Sequence, residues 1–242
     1  MKTPSDMPAL ALLAGGVATR LRPLTETIPK AMVEVAGEPF VAHQLRLLRR
    51  VGVSRVVICT GYLAEQIQAY VGDGRDFGLS VLYSLDGPIL LGTGGALKKA
   101  LPLLGDSFFV MYGDSYLDIP FRPVVEAFER SGLPALMTVF RNENRWDTSN
   151  VEFAKGLIVR YDKKIRTPAM QHIDYGLGVL KPEVFAGWPA GQPFDLAEVY
   201  GRLVEQRRLA GFETLERFYE IGSPQGLAET DDHLQHLVKD TR

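Results

Sequence analysis

Residues 9–14, Ala-Leu-Ala-Leu-Leu-Ala, form an unbroken apolar run that stops at Gly15-Gly16. A run this short, with no polar face, predicts a strand buried on both sides. Residues 40–51 instead carry apolar side chains at Val41, Leu45, Leu48 and Val51, the spacing of one helix face, and Gly52 ends the pattern. Strand-like runs at 56–59, 79–83 and 108–112 follow, with helical segments at 64–71 and 93–104 between them. Lys98 and Lys99 are expected on the outward face of the second of these helices. Such alternation predicts a mostly parallel sheet with helices on both faces. Beyond residue 135 the texture changes. Short strand-like segments at 135–140, 150–153, 157–161 and 175–180 are divided by polar turns, so a small antiparallel or mixed layer is expected. Helical stretches at 196–207 and 223–238 close the pattern, and no repeat or low-complexity linker divides it.

The length of 242 residues suffices for one large α/β domain, and a single domain over 1–242 is the reading adopted. Lysine and arginine number 27 against 29 aspartates and glutamates, a formal charge of −2. No long-range field therefore exists to draw in nucleic acid or an anionic membrane, and an anionic ligand must be held by local cations. Cys59 is the only cysteine, which excludes an intrachain disulfide and fits a reducing cytoplasm. The apolar stretch 7–14 is short for a signal segment, and nothing approaches the length of a membrane-spanning helix.

Chemistry gathers where the first strand ends. Leu13-Ala14-Gly15-Gly16-Val17-Ala18-Thr19-Arg20-Leu21 is followed by Pro23-Leu24-Thr25 and by Ile28-Pro29-Lys30. Two glycines let backbone N–H groups face an anion without interference from Cβ. Arg20 offers a planar fork of donors to phosphate oxygens, and Lys30 a mobile point charge. Gly113-Asp114-Ser115 sets a carboxylate at the end of another buried strand, the edge at which open α/β sheets bind ligands, and a hard oxygen there suits Mg²⁺. Leu91-Gly92-Thr93-Gly94-Gly95-Ala96 is a second small-residue turn that lets backbone approach a base or ribose. It is neither a dinucleotide fingerprint nor a Walker A loop. His233 and His236 share a helix face, but no further ligand completes a zinc set.

The first of these segments resembles the signature of the sugar-1-phosphate nucleotidylyltransferases, L-A-G-G-x-G-T-R-L-x-P-L-T followed by P-K, with Ala18 in place of the third glycine. The resemblance implies a Rossmann-like three-layer nucleotide-diphospho-sugar transferase fold with a mostly parallel mixed sheet, a nucleotide-binding half to about residue 115 and a sugar-binding half from 116 to 242. It implies that Leu13, Ala14, Gly15, Gly16, Thr19, Gly92 and Thr93 bind the nucleotide, with Arg20 and Lys30 on its phosphates. Asp114 would be one metal ligand. Glu220, in Phe218-Tyr219-Glu220-Ile221-Gly222-Ser223-Pro224, stands where the family has its second metal-binding aspartate. Tyr161-Asp162-Lys163-Lys164 is similar to the segment whose lysine contacts the sugar phosphate, and alignment on the preceding strand puts Lys164 there. Asp174 would hold sugar hydroxyls, with Glu152 a looser match to a sugar-facing glutamate.

The implied reaction joins an NTP to a sugar 1-phosphate, giving an NDP-sugar and pyrophosphate, with Mg²⁺ as cofactor. It requires neither nucleic acid nor membrane and leaves a homo-oligomer open. Among compact relatives the chain looks most like the heptose-1-phosphate guanylyltransferases, a mannose-type guanylyltransferase lying close by. The alternatives are an N-acetylmuramate-1-phosphate uridylyltransferase or another UTP-, CTP- or dTTP-dependent member. A glycosyltransferase would need a D-x-D motif that Gly113-Asp114-Ser115 does not supply. A non-catalytic sugar-nucleotide sensor is the remaining class.

Overall fold

Leu10 and Leu12 of the first strand, β1 (Ala9–Leu13), turn to one face of a sheet while Ala9 and Ala11 turn to the other, and all four are buried. This is the unbroken apolar run realised as an inner strand. The computed structural model describes residues 7–16 and 19–240, without the side chains of 238–240. After β1 come the short strands β2 (Glu34–Val35) and β3 (Glu38–Pro39), then α1 (Phe40–Arg50), β4 (Arg55–Thr60), α2 (Ala64–Val71), β5 (Ser80–Leu85), α3 (Gly92–Ala100) and β6 (Phe108–Tyr112). Short β7 (Ser115–Tyr116), α4 (Arg122–Ser131), β8 (Ala135–Arg141), β9 (Val151–Ala154), β10 (Leu157–Tyr161) and β11 (His172–Leu180) follow. The chain continues through α5 (Leu196–Glu205), β12 (Leu209–Thr214), short β13 (Tyr219–Glu220) and α6 (Pro224–Asp240).

Nine strands form one sheet in the order β5-β4-β1-β6-β11-β8-β12-β10-β9. The first four are mutually parallel, and β6 meets β11 antiparallel, with Leu177 opposite Met111. The strands beyond residue 135 therefore extend the same sheet instead of making a layer of their own. α1, α2 and α4 cover one face, and α3 and α5 the other, giving three layers. Phe40 and Leu47, on the outer side of α1, pack with Leu21, Val33, Ile221 and Leu234 in a third cluster that ties the 19–35 segment and α6 to the body. This cluster sets where the segments bearing Arg20, Lys30 and Glu220 can lie.

The helix at 93–104 starts at Gly92 and ends at Ala100, followed by a 3-10 turn at Leu101–Leu103. Its lysines do not simply face water. Lys98 donates to the carbonyls of Phe185, at 3.0 Å, and Trp188, and Lys99 donates to the Asp86 carbonyl at 3.2 Å.

Candidate active site

A cavity of about 280 Å³ opens at the carboxyl ends of β1, β4 and β6. The chain leaves β1 to build β4 and β5 on one side and returns to place β6 on the other, so the cavity lies at a topological switch point. Leu13, Cys59 and Ala96 give it apolar walls, while Lys30, Asp86 and Asp114 are its ionisable members besides the tyrosine and cysteine. Burial, with Asp86 nearby, pushes the Cys59 thiol up to about 12, so it is an inert wall and not a nucleophile.

At one end stands the glycine turn. Ala14 N–H donates to the Cys59 carbonyl at 2.8 Å and Gly113 N–H to the Leu13 carbonyl at 2.9 Å, which pins the turn's start between two strands. A Cβ on Gly113 would lie 2.6 Å from Leu13 O, so glycine is required there, whereas a Cβ on Gly16 would meet nothing within 4 Å. Val17 and Ala18 lie outside the described residues. Thr19 and Arg20 are exposed in the 3-10 turn Thr19–Leu21.

Lys30 Nζ donates to Asp114 Oδ2 at 2.6 Å. Gln44, fully buried on α1, donates to the Ser115 carbonyl at 2.8 Å and the Tyr112 carbonyl at 3.2 Å, holding both sides of Asp114. Ile221 N–H donates to the Asp114 carbonyl at 2.9 Å, and Glu220 pairs with Ser115 in the β7–β13 ribbon. A Cβ built on Gly222 would stand 3.1 Å from both Arg20 Nη2 and Lys30 Nζ. Both cations thus converge on one glycine beside Asp114 and Glu220, four residues that lie up to 200 positions apart in the chain.

Glu220 departs from its expected use. One of its oxygens accepts from Ser223 Oγ at 2.7 Å and the other from Gly222 N–H, so it braces the two residues before α6, and Ser223 Oγ in turn accepts from Gly226 N–H at 3.0 Å in the first turn of the helix. Among the described residues no group of three or more His, Cys, Asp or Glu side chains is arranged to hold a metal. Asp114 is the cavity's carboxylate on the Lys30 side, and a hard cation keeping most of its waters fits that single side-chain donor.

Beyond Tyr112 lies the sugar-side candidate. Asp174 Oδ2 stands 3.4 Å from the Tyr112 hydroxyl and 3.3 Å from the Tyr161 hydroxyl, and its Oδ1 accepts from Gly176 N–H at 3.0 Å. Burial pushes its carboxyl above the usual range, against the pull of Lys163. Lys163, not Lys164, faces this group. Both lysines are exposed in the turn after β10, but Lys163 Nζ lies 5.8 Å over the Tyr112 ring and 4.0 Å from Asp195 Oδ1. That turn is set by Asp162, whose Oδ1 accepts from the N–H groups of Lys164 and Ile165, each at 2.8 Å. Glu152 is not brought in either. Its neighbours Val151 and Phe153 pack in the α3/α5 cluster with Tyr161, and strand alternation sends Glu152 to the opposite face.

Gly92 and Thr93 line the cavity, yet the small residues here serve the chain itself. A Cβ on Gly92 would lie 2.7 Å from the Phe194 carbonyl, one on Gly95 2.7 Å from the Gln192 carbonyl, and one on Gly94 inside the Phe194 ring. The Thr93 hydroxyl donates to Asp195 Oδ1 at 2.9 Å and accepts from Leu196 N–H at 2.8 Å, joining Asp195 in capping α5. Sequence reasoning missed Asp86, Gln44, Tyr112 and Lys163. The signal for Asp86 was present: it directly follows β5 as Asp114 nearly follows β6, at the same edge of the sheet.

The sequence profile described as nucleotidyl transferase matches residues 10–185, a span that holds the glycine turn, Lys30, Asp114 and Asp174. The chain belongs to this family. A nucleotidyl transferase relative, the N-acetylmuramate alpha-1-phosphate uridylyltransferase of Neisseria meningitidis serogroup B, is 31% identical over 216 residues, covering 88% of this chain and 92% of its own. The UTP–glucose-1-phosphate uridylyltransferase of Synechocystis is 32% identical over 216 residues, covering 80% of this chain, and the chain spans only 54% of it. Among solved structures, HddC from Yersinia pseudotuberculosis complexed with GMP-PN superimposes with a TM-score of 0.79 at 23% identity, covering 94% of this chain and all of that one. That likeness shows a shared fold. No helix of the described residues is long and apolar enough to cross a membrane.

Proposed function

We propose that this chain transfers a nucleotidyl group from an NTP to a sugar 1-phosphate, releasing pyrophosphate, in the cytoplasm. The observation that carries the reading is the convergence of Arg20 and Lys30 on Gly222, beside Asp114 and the open Gly15-Gly16 turn. Family membership supports it. An oxygen of the sugar phosphate attacks the α-phosphorus in line with the departing pyrophosphate. No general base is needed, because the nucleophile is already ionised.

The obstacle is repulsion between two anions. At 4 Å one pair of like charges repels by about 4 kcal/mol at an effective dielectric near 20. Arg20 and Lys30 neutralise the triphosphate, and Lys163 takes the sugar phosphate in place of Lys164, since only Lys163 reaches toward Tyr112 and Asp174. Asp174, anchored by Gly176 N–H and two tyrosines, accepts sugar hydroxyls. Asp114 would hold Mg²⁺, which when bound adds positive charge between the phosphates. Glu220 fixes the start of α6 close to that group.

The sequence leans to a guanine nucleotide and a heptose- or mannose-type sugar. A uridine nucleotide with N-acetylmuramate 1-phosphate is the second reading, favoured by the Neisseria relative, which matches nearly end to end. Pyrophosphate release from GTP, UTP, CTP, dTTP and ATP against a panel of sugar 1-phosphates tests both. Release from one pairing well above the rest supports the proposal, and no release from any pairing overturns it.

A further inference from the structure

Gln44 is fully buried on α1, where Val41, Leu45 and Leu48 on one seam and Phe40 and Leu47 on the other are apolar. Its Oε1 is buried with no partner, a cost that an apolar residue of the same length would avoid. That cost is offset by the two hydrogens of Nε2, which go to the Ser115 carbonyl at 2.8 Å and the Tyr112 carbonyl at 3.2 Å. Both partners only accept, so the amide has one way to face them. These carbonyls are the first and last of the turn Tyr112-Gly113-Asp114-Ser115. Between them, Gly113 N–H donates to the Leu13 carbonyl and the Asp114 carbonyl accepts from Ile221 N–H, each at 2.9 Å. The turn is held from β1, from the β13–α6 junction and from α1, and with it the direction in which the Asp114 side chain leaves the backbone.

The start of the same helix grips a different segment. His43 Nε2 donates to the Val35 carbonyl at 2.8 Å, and Phe40 N–H donates to the Val33 carbonyl at 2.9 Å. Those carbonyls close the segment that opens with the 3-10 turn Lys30–Met32. A single 11-residue helix therefore holds both the segment bearing Lys30 and the turn bearing Asp114, although 84 positions separate the lysine from the carboxylate. Among the described residues no backbone hydrogen bond joins the two segments directly. α1 is the gauge between them.

Resting on the nucleotidyl-transfer reading, we propose that Gln44 is a positioning residue: by holding the carbonyls of Tyr112 and Ser115 it presets Asp114 against Lys30, so that neither side chain has to be ordered when phosphate and a divalent cation arrive. Groups ordered in advance lose less entropy on binding. Without Gln44, two buried carbonyls must find other donors, and Asp114 leaves the turn in directions away from Lys30.

Gln44→Met keeps the length and the apolar fit but has no donor, and thermal melting shows whether it folds. Acetylation of Lys30 without nucleotide or metal, followed by mass spectrometry of its peptide, reads how firmly Asp114 holds the amine. Asp114→Asn sets the rate for the released lysine, and exposed Lys155 serves as the internal control. Gln44→Met should acetylate at Lys30 about threefold faster than the parent or more, moving toward Asp114→Asn, with Lys155 unchanged. Its Mg²⁺ requirement for pyrophosphate release should rise about fivefold or more. Gln44→Glu keeps one hydrogen while its buried acid is neutral, should fall between parent and Gln44→Met in both readouts, and carries the test if Gln44→Met does not fold. A folded variant that melts lower but acetylates at Lys30 at the parent's rate, or that keeps the parent's Mg²⁺ requirement, overturns the inference. A parent that releases no pyrophosphate from any NTP counts instead against the transfer reading, and leaves Lys30 acetylation to judge Gln44 by itself.

Discussion

Lys30 Nζ and Asp114 Oδ2 lie 2.6 Å apart in the wall of the cavity, and on the proposed reading each would exchange the other for substrate phosphate or metal. The pair is partly exposed, at 16% and 33%, so its contribution to stability is small. On the proposed reading its worth is in catalysis. Asp114→Asn should leave melting nearly unchanged while lowering turnover about a hundredfold, which corresponds to about 3 kcal/mol of transition-state stabilisation. Near-parental turnover of the folded variant at limiting Mg²⁺ would remove Asp114 from the reaction.

The two adjacent lysines should separate in kinetics. Lys163→Ala is expected to lower kcat/KM for the sugar 1-phosphate by tenfold or more with little change in the KM for NTP. Lys164→Ala should be mild. Steady-state rates with the sugar phosphate varied at saturating NTP decide between them, and the reverse ranking would restore the alignment-based assignment.

Glu220 accepts from Gly222 N–H and Ser223 Oγ, the two residues that lead into α6. Glu220→Ala should therefore cost about 1 kcal/mol of stability, read as a lower Tm. Glu220→Gln should keep most of that stability, and its Mg²⁺ titration should superimpose on the parent's. A large rise in the Mg²⁺ requirement for Glu220→Gln would show that this carboxylate leaves the helix to join the ion.

Burial raises the Asp174 carboxyl above its ordinary value of 3.8. The unfolded chain ionises at that ordinary value while the folded chain keeps its proton to higher pH, so the folded state binds more protons in between and stability falls as pH rises through the interval. Asp174→Asn removes this loss. It should melt higher than the parent at neutral pH, with the advantage vanishing below the ordinary carboxylate range, while turnover falls. An equal offset at acid and neutral pH would contradict this.

Gly113 meets backbone, not a movable side chain, at 2.6 Å from Leu13 O and 3.0 Å from Ala14 Cα. Gly113→Ala should therefore displace the start of the glycine turn, lowering both Tm, by the equivalent of about 1–3 kcal/mol, and affinity for NTP. Unchanged nucleotide affinity would show that the turn does not hold phosphates.

The parts legible in the sequence were those specified locally. Residues 9–14 announced a strand because both faces are apolar, and the Gly15-Gly16 turn with Arg20 and Lys30 announced anion chemistry because residue type alone carries it. β12 went unread: Leu-Ala-Gly-Phe-Glu-Thr is a strand because it pairs with β8, and Gly211 is there because the Phe153 ring and Ile158 occupy its side-chain space. α4 carries Val124, Val125 and Phe128 inward, a pattern too brief to stand out between two prolines and a glycine. The choice between Lys163 and Lys164 turned on one side chain, Asp162, redirecting the chain after β10. The glycines of 92–95 were read as room for a ligand, but most of that room is taken by Phe194 and Gln192.

The antiparallel seam between β6 and β11, with Gly178 opposite Val110 and Leu180 opposite Phe108, has an arithmetic consequence. Tyr112 and Lys30's partner Asp114 extend from one side of this seam and Asp174 from the other. On the proposed reading, the distance between the nucleotide's phosphates and the sugar is set by the register of this seam, in steps of about 3.3 Å, together with the irregularity in β11 between Asp174 and Gly178. Alignment of two reactants placed this way would in that sense be digital. It tolerates drift in the loops around it, and it admits no small error of its own.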